Sequence, residues 1–237
     1  MSPSTPPDGH ALDFFRTGKA YSISQAARLA KTTPASVRRW LMGYEAPGHQ
    51  MQPVFGHKER AGQPGPLSVS FLELVEIVVV ANFRRGSPIH GPIKLQRLRA
   101  AHEYARQRFE LAYPFASLSL KRLGGHVLHE FDLTQPGGSA LALDLGGQWA
   151  LPGMVRTALE QLDFEEEFAI RWFPLGRGAR ILVDPRIGAG RPTVAGTGVT
   201  ADVIRGRFDA GESIQDIADD FELTPIDVEE ALRFAAA

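Results

Sequence analysis

Tyr21-Ser22-Ile23-Ser24-Gln25-Ala26-Ala27-Arg28-Leu29-Ala30-Lys31-Thr32-Thr33-Pro34-Ala35-Ser36-Val37-Arg38-Arg39-Trp40-Leu41 reads as two short helices around a tight turn. Ser22 or Ser24 caps the first, because a hydroxyl can accept from an otherwise unpaired N–H of the first turn. Thr32-Thr33-Pro34 breaks and restarts the chain. Thr33 is the second N-cap, and Pro34 stands at the first helical position, where a missing N–H costs nothing. Ile23, Ala26, Ala27, Leu29, Val37 and Leu41 supply a small shared core, and Gly43 ends the unit.

Working outward, residues 46–66 are rich in Gly and Pro. Met51-Gln52-Pro53-Val54-Phe55 reads as one arm of a short hairpin with Lys58 and Arg60 near its tip. Phe71, Leu74, Val75, Val78 and Val79 recur at helical spacing, and Gly86-Ser87-Pro88 stops that helix. A further helix is expected from Ile93 to Phe109. Leu118 to Leu123 and Val127 to Phe131 flank Gly124-Gly125, which predicts a hairpin. Ala140 to Leu143 and Gln148 to Ala150 flank Gly146-Gly147 in the same way. Val155 to Leu162 reads as helix, and Ala169 to Phe173 and Arg180 to Val183 as strands. The expected sheet buries Leu141, Leu143, Trp149, Ile170, Trp172, Ile181 and Val183. After a turn-rich loop, Gly188 to Gly198, helices are expected at Ala201–Asp209, Ser213–Phe221 and Pro225–Ala235. Gly211 is a candidate C-cap, and Ser213 and Thr224 are candidate N-caps.

The fold class is therefore mostly α with a small α+β middle. A disordered leader is expected over 1–18, a DNA-binding domain over 19–112 and a small α+β linker domain over 113–178. A C-terminal three-helix, helix-turn-helix-like domain follows over 179–237. The chain has 237 residues, 43 % hydrophobic and 22 % charged, which is ordinary globular composition with room for two or three modules. It contains no Cys, which excludes disulfides, thiolate zinc, iron–sulfur clusters and a thiol nucleophile, and suits a reducing cytoplasm. Ser2 to Asp8 has neither the basic nor the apolar region of a signal peptide. The most apolar run, Leu74 to Phe83, is broken by Glu76 and is shorter than the roughly 18 residues a bilayer span needs. A cytoplasmic protein with no membrane partner is expected.

The net charge of −1 conceals a gradient. Residues 1–112 carry +7, residues 113–178 carry −3 and residues 179–237 carry −5. Both ends contain a helix, a turn and a second helix, so charge decides which can meet DNA. A recognition helix lies between phosphates and needs hydroxyls near its start and cations along it. Ser24, Thr33, Ser36, Arg38, Arg39 and Trp40 give the first pair that character, with Lys58 and Arg60 as hairpin cations. Arg38 or Arg39 can reach a guanine edge. The second pair carries Asp227, Glu229 and Glu230, which phosphates repel, so protein interaction or dimer packing is expected there.

The first pair resembles MerR-type winged helix-turn-helix domains, on the run from Tyr21 to Ala30 and on Thr33-Pro34-Ala35-Ser36-Val37-Arg38-Arg39-Trp40. The match departs from that family in the long Gly/Pro-rich stretch. The tail resembles a small bacterial domain of the unknown-function series. The residues that carry this are Arg180 to Ile187, Gly190-Arg191-Pro192-Thr193-Val194-Ala195-Gly196-Thr197-Gly198-Val199 and the turns at Gly211 and Leu223. Head and tail together look like the large VapB-type antitoxins of actinobacteria. That resemblance implies a cognate PIN-like ribonuclease toxin as partner and operator double-stranded DNA bound by a homodimer or a larger toxin–antitoxin assembly. PIN-like sites hold metal with carboxylates, so an inhibitor needs an Arg or an occluding segment there. Arg191, Arg205, Arg207 and Arg233 are the candidates, with Phe234 as an apolar anchor; an ordinary surface salt bridge is the alternative for each Arg.

No catalytic chemistry is expected, and no cofactor or metal. Gly188-Ala189-Gly190 lacks the third glycine and the helix of a dinucleotide loop, and no P-loop is present. His126 and His129, in the expected hairpin, fall on opposite faces of a strand. Glu165-Glu166-Glu167 reads as a solvated run. The alternative function is a one-component MerR-like regulator sensing a small ligand through the central segment, with Trp149, Trp172 and Phe173 lining a pocket. A scaffold without DNA contact is the third reading.

Overall fold

The computed structural model describes residues 9–46, 48–55, 66–86, 91–134 and 153–235. The fold is mostly helical, with small two-stranded antiparallel sheets. Helix α1 (Gly9–Thr17) comes first, so the expected leader is helical from Gly9 onward. Its buried Arg16 explains this, because the guanidinium bonds the Glu165 carbonyl at 3.3 Å and Asp13 at 2.8 Å. Residues 1–8 lie outside the described residues. Strand β1 (Tyr21–Ser22) leads into α2 (Ile23–Leu29), and α3 (Pro34–Met42) follows. Ser22 rather than Ser24 caps α2, in a reciprocal box with Gln25. Thr33 caps α3 with Pro34 at the first position.

The hairpin lies earlier than expected. Strands β2 (Tyr44–Ala46) and β3 (His49–Met51) pair with Tyr44 opposite Met51. Gly43 makes this possible at φ +75°, where a Cβ would stand 2.2 Å from the Met51 carbonyl oxygen. Val54 and Phe55 do not extend the ladder, because both are buried and their N–H groups turn back to the Trp40 carbonyl at 2.7 and 3.4 Å. Lys58 and Arg60 fall outside the described residues.

Strand β4 (Ser68–Val69) pairs with β1 and starts α4 (Phe71–Arg85), the central helix, buried continuously from Phe71 to Ala81. Two carboxylates inside it are partnered. Glu73 closes a capping box with Ser70 and meets Lys19 at 2.8 Å. Glu76 Oε1 stands 2.9 Å from His102 Nε2 and accepts from the Phe115 N–H at 3.1 Å. His102 comes from α5 (Leu95–Phe109) and sits edge-on between Phe55 and Phe115.

The middle departs most from expectation. Leu118–Leu133 is one helix, α6, not a hairpin. Its buried residues Leu120, Gly124, Val127, Leu128 and Phe131 recur at helical spacing, and Ser117 caps it, so Gly124-Gly125 lies inside a helix rather than at a turn. His126 and His129 therefore share one side at i, i+3, with His126 exposed and His129 half-buried. The second expected hairpin, with Leu141, Leu143 and Trp149, lies outside the described residues. Helix α7 (Gly153–Glu160) is followed by the antiparallel pair β5 (Leu162–Glu165) and β6 (Phe168–Trp172). The acidic run is thus partly structural. Glu166 takes the turn at φ 56°, and Glu167 accepts from Ser119 N–H at 2.7 Å through its carboxylate and from Leu118 N–H at 2.7 Å through its carbonyl. Ile170 is only half-buried, whereas Trp172, Ile181 and Val183 are in the core.

The tail follows the sequence closely. Strands β7 (Ile181–Leu182) and β8 (Thr193–Val194) pair, and α8 (Ala201–Asp209), α9 (Ile214–Asp220) and α10 (Pro225–Ala235) pack around Ile181, Val194, Ile204, Ile217 and Val228. Thr200 and Ser213 cap α8 and α9, and Thr224 shares a reciprocal cap with Asp227 at the start of α10. No helix among the described residues is long and apolar enough to cross a membrane.

Candidate nucleic-acid interface and tail surface

On α3, Val37, Trp40 and Leu41 face the core, while Ala35, Arg38, Arg39 and Met42 form an exposed stripe at positions i, i+3, i+4 and i+7. Arg38 and Arg39 are exposed, and no carboxylate of the described residues pairs with either. The Arg39 guanidinium lies 5.5 Å from the centre of the Tyr44 ring, so the first hairpin strand steadies it. Thr33 Oγ1 accepts from the Ser36 N–H at 3.1 Å, and its hydroxyl lies 3.0 Å from Ser36 Oγ. Ser24 is exposed on α2. Trp40 does not belong to this face. It is 4 % exposed, and its carbonyl anchors the chain after the hairpin. Its indole supports the stripe from behind, as its bulk and apolarity favour. Arg99 of α5 bonds the Pro53 carbonyl at 2.9 Å and fixes the hairpin base; burial lowers its pKa.

The tail's cations divide into two groups. Arg205 is held by Asp209 at 2.8 Å. Arg207 bonds Glu212 and Asp220 and lies over the Phe221 ring at 5.0 Å, and those hydrogen bonds push its pKa upward. Arg191 and Arg233 are exposed without a carboxylate partner among the described residues. Phe234 is not a free anchor, since it is half-buried and packs against both hydrophobic cores. Asp227, expected on the acidic face, is instead buried at 2 % exposure and receives Arg180 Nη1 at 2.9 Å. The same Arg180 spans to the Ala195 carbonyl at 2.7 Å, so it clamps α10 to the loop after β8.

Sequence reasoning missed that head and tail touch. Tyr21 of β1 reaches Gly190, whose φ of +74° and close approach leave no room for a side chain: a Cβ would stand 2.2 Å from the Tyr21 hydroxyl. Burial, then the negative charge of Asp184, pushes the Tyr21 hydroxyl pKa upward. Arg28 of α2 faces Asp202 of α8 at 3.6 Å. The charge gradient along the chain is thus partly neutralised where the ends meet. Gly190→Ala is expected to cost about 2–3 kcal/mol through backbone strain and overpacking, measured by urea unfolding; a loss below about 0.5 kcal/mol contradicts this close approach.

Asp184 is fully buried between Arg186, at 2.7 Å, and Arg171, at 3.2 Å. Burial pushes its carboxyl up, but hydrogen bonds from the Arg186 side chain and backbone and the charges of Arg186 and Arg171 outweigh it. The carboxyl is held below its ordinary range. Its contribution is therefore fully present above the unfolded value of about 3.9 and lost as pH falls through the lower folded value. Asp184→Asn is expected to flatten the acid limb of stability below about pH 4. Parallel acid limbs in the two proteins rule out this assignment.

The described residues hold no group of three or more His, Asp or Glu placed to bind a metal. Residues 181–235 match the family described as Protein of unknown function (DUF433). The chain is 27 % identical to a protein named "Putative antitoxin VapB45" from Mycobacterium tuberculosis (strain ATCC 25618 / H37Rv), over 92 % of this chain and 94 % of that one. It is 28 % identical to "Uncharacterized protein Rv2308" of the same organism, over 91 % of this chain and 90 % of that one. The crystal structure of Rv2018 from Mycobacterium tuberculosis superposes with a TM-score of 0.74 at 26 % identity, covering 90 % of this chain and 97 % of that one. The similarity to the protein named "Putative antitoxin VapB45" thus runs through head, middle and tail together.

Proposed function

We propose that this protein is an antitoxin that neutralises a PIN-like ribonuclease and binds operator DNA to regulate its own operon. The observation that carries the reading is the end-to-end similarity to the protein named "Putative antitoxin VapB45", spanning both the cationic helix pair and the acidic tail. The exposed Arg38/Arg39 stripe supports the DNA half, because it places two guanidinium groups without a carboxylate partner among the described residues on one helix face. The chain binds DNA as a dimer, each copy reading one half-site. The tail supplies the toxin contact through Arg191 and Arg233, the candidate cations without a carboxylate partner among the described residues.

The protein acts by binding rather than by catalysis, so an in vitro assay separates the two halves. An equimolar amount of the chain is expected to suppress RNA cleavage by the PIN-like ribonuclease encoded beside it. Undiminished cleavage, or the absence of any such neighbouring reading frame, contradicts the toxin half. For the DNA half, affinity for a promoter fragment is expected to fall steeply as salt rises, through counterion release. Affinity independent of salt contradicts it.

A further inference from the structure

A cavity of about 210 Å³ lies where the turn after α2 faces the tail. Its charged lining is Arg28, Lys31 and Arg85 against Asp202, and its apolar lining includes Trp172 and Phe234. We propose that this cavity binds a small anionic molecule with an apolar body, of the class of aromatic carboxylates.

Charge comes first. Arg28 already faces the single carboxylate, Asp202, at 3.6 Å. Lys31 and Arg85 have no acidic partner among the described residues, so the cavity carries an excess of positive charge. Arg85 is not a loose surface chain. Its Nη2 bonds the Ala30 carbonyl at 3.3 Å and its Nη1 the Asn82 side chain at 3.0 Å, which holds the guanidinium at the rim. Lys31 is set by the turn itself, at φ 52°. Three like charges around one concavity repel each other, and an anion placed between them removes that repulsion in a setting less polar than bulk water.

Shape supplies the rest. Trp172 is 5 % exposed, and Phe234 is half-buried between the two cores, so both present apolar surface to the cavity from fixed positions. Ligand sites combine such a wall with a few convergent polar groups. The volume is below the roughly 300–1,000 Å³ of drug-sized sites, which suits one or two rings rather than a nucleotide or a peptide. The three cations line the same cavity as Trp172 and Phe234, a combination that suits a small anion with an apolar body. A ligand here touches the head through Lys31 and the tail through Phe234, so its binding sets how firmly the two hold together. The proposal stands on the cavity and does not depend on the antitoxin reading.

The test is calorimetric titration of the full chain with naphthoate, its neutral carboxamide and inorganic phosphate. Naphthoate is expected to bind once per chain with a Kd below about 1 mM, with the carboxamide and phosphate each at least about tenfold weaker. Lys31→Gln combined with Arg85→Gln is expected to weaken naphthoate by about tenfold or more. Gln161→Trp, at the rim, is expected to block it sterically while leaving the charges in place, so either variant decides if the other folds poorly. No saturable binding of naphthoate overturns the proposal. Equal binding by the carboxamide, by phosphate or by both variants overturns it as well.

Discussion

Arg38→Ala with Arg39→Ala is expected to weaken binding to the promoter fragment by at least about 100-fold at physiological salt, because each good base-edge contact is worth about 1–3 kcal/mol. Both side chains are exposed, and neither bonds a carboxylate of the described residues. The double variant should therefore fold normally, losing no more than the roughly 0.5–1 kcal/mol of the Arg39–Tyr44 ring contact. The control on the same helix is Trp40→Phe, which acts through the core and so changes unfolding more than DNA affinity. Fluorescence anisotropy across a salt series reads both magnitude and mechanism. Loss of a base contact lowers affinity for the promoter more than for unrelated DNA, whereas loss of a phosphate contact lowers both alike and flattens the salt slope. Unchanged promoter affinity in the double variant would leave the helix pair as a scaffold.

The largest expected effect on stability is at Glu76. Glu76→Ala is expected to cost about 3–5 kcal/mol, from the void left in the core and the buried polar groups left unpaired. The carboxylate is fully buried in the central helix, opposite a His102 ring that is 1 % exposed. The same oxygen, Oε1, that faces the ring also receives the N–H of Phe115, which lies in the short turn before α6. Alanine removes that acceptor and leaves the His102 ring nitrogen and the Phe115 N–H buried without it. Glu76→Gln keeps an oxygen in place and is expected to lose less than half as much. Urea unfolding followed by far-UV circular dichroism measures both. Equal losses would mean that packing, not hydrogen bonding, governs the site.

The helix pair and the tail were legible in the sequence because their signals are local. Thr33-Pro34, Ser213 and Thr224 act on the N–H groups of their own first turn, and the structure has caps at each of them. α6 shows where a local signal misleads. Gly124-Gly125 is a strong turn dipeptide in isolation, but Leu120, Val127, Leu128 and Phe131 bury on one helical face, and that burial outweighs the intrinsic cost of glycine in a helix, about 1 kcal/mol each. The hairpin was displaced for a related reason: Val54 and Phe55 look strand-like, and the core takes them instead. In the candidate site, Arg38 and Arg39 could be found because helical spacing exposes them opposite Val37 and Leu41. Trp40 stands three residues after Val37 and beside Leu41, so the same spacing places it on the buried face. The Tyr21–Gly190 contact and the cavity beside Phe234 join residues far apart in the chain, where no periodicity or cap carries information.

The most direct measurement is growth after inducing the PIN-like ribonuclease proposed as the partner, with and without this chain. Full-length protein is expected to restore growth, and Arg191→Ala with Arg233→Ala, both exposed, is expected to weaken the rescue while still binding promoter DNA. Continued arrest in the presence of the folded full-length protein would contradict the antitoxin account.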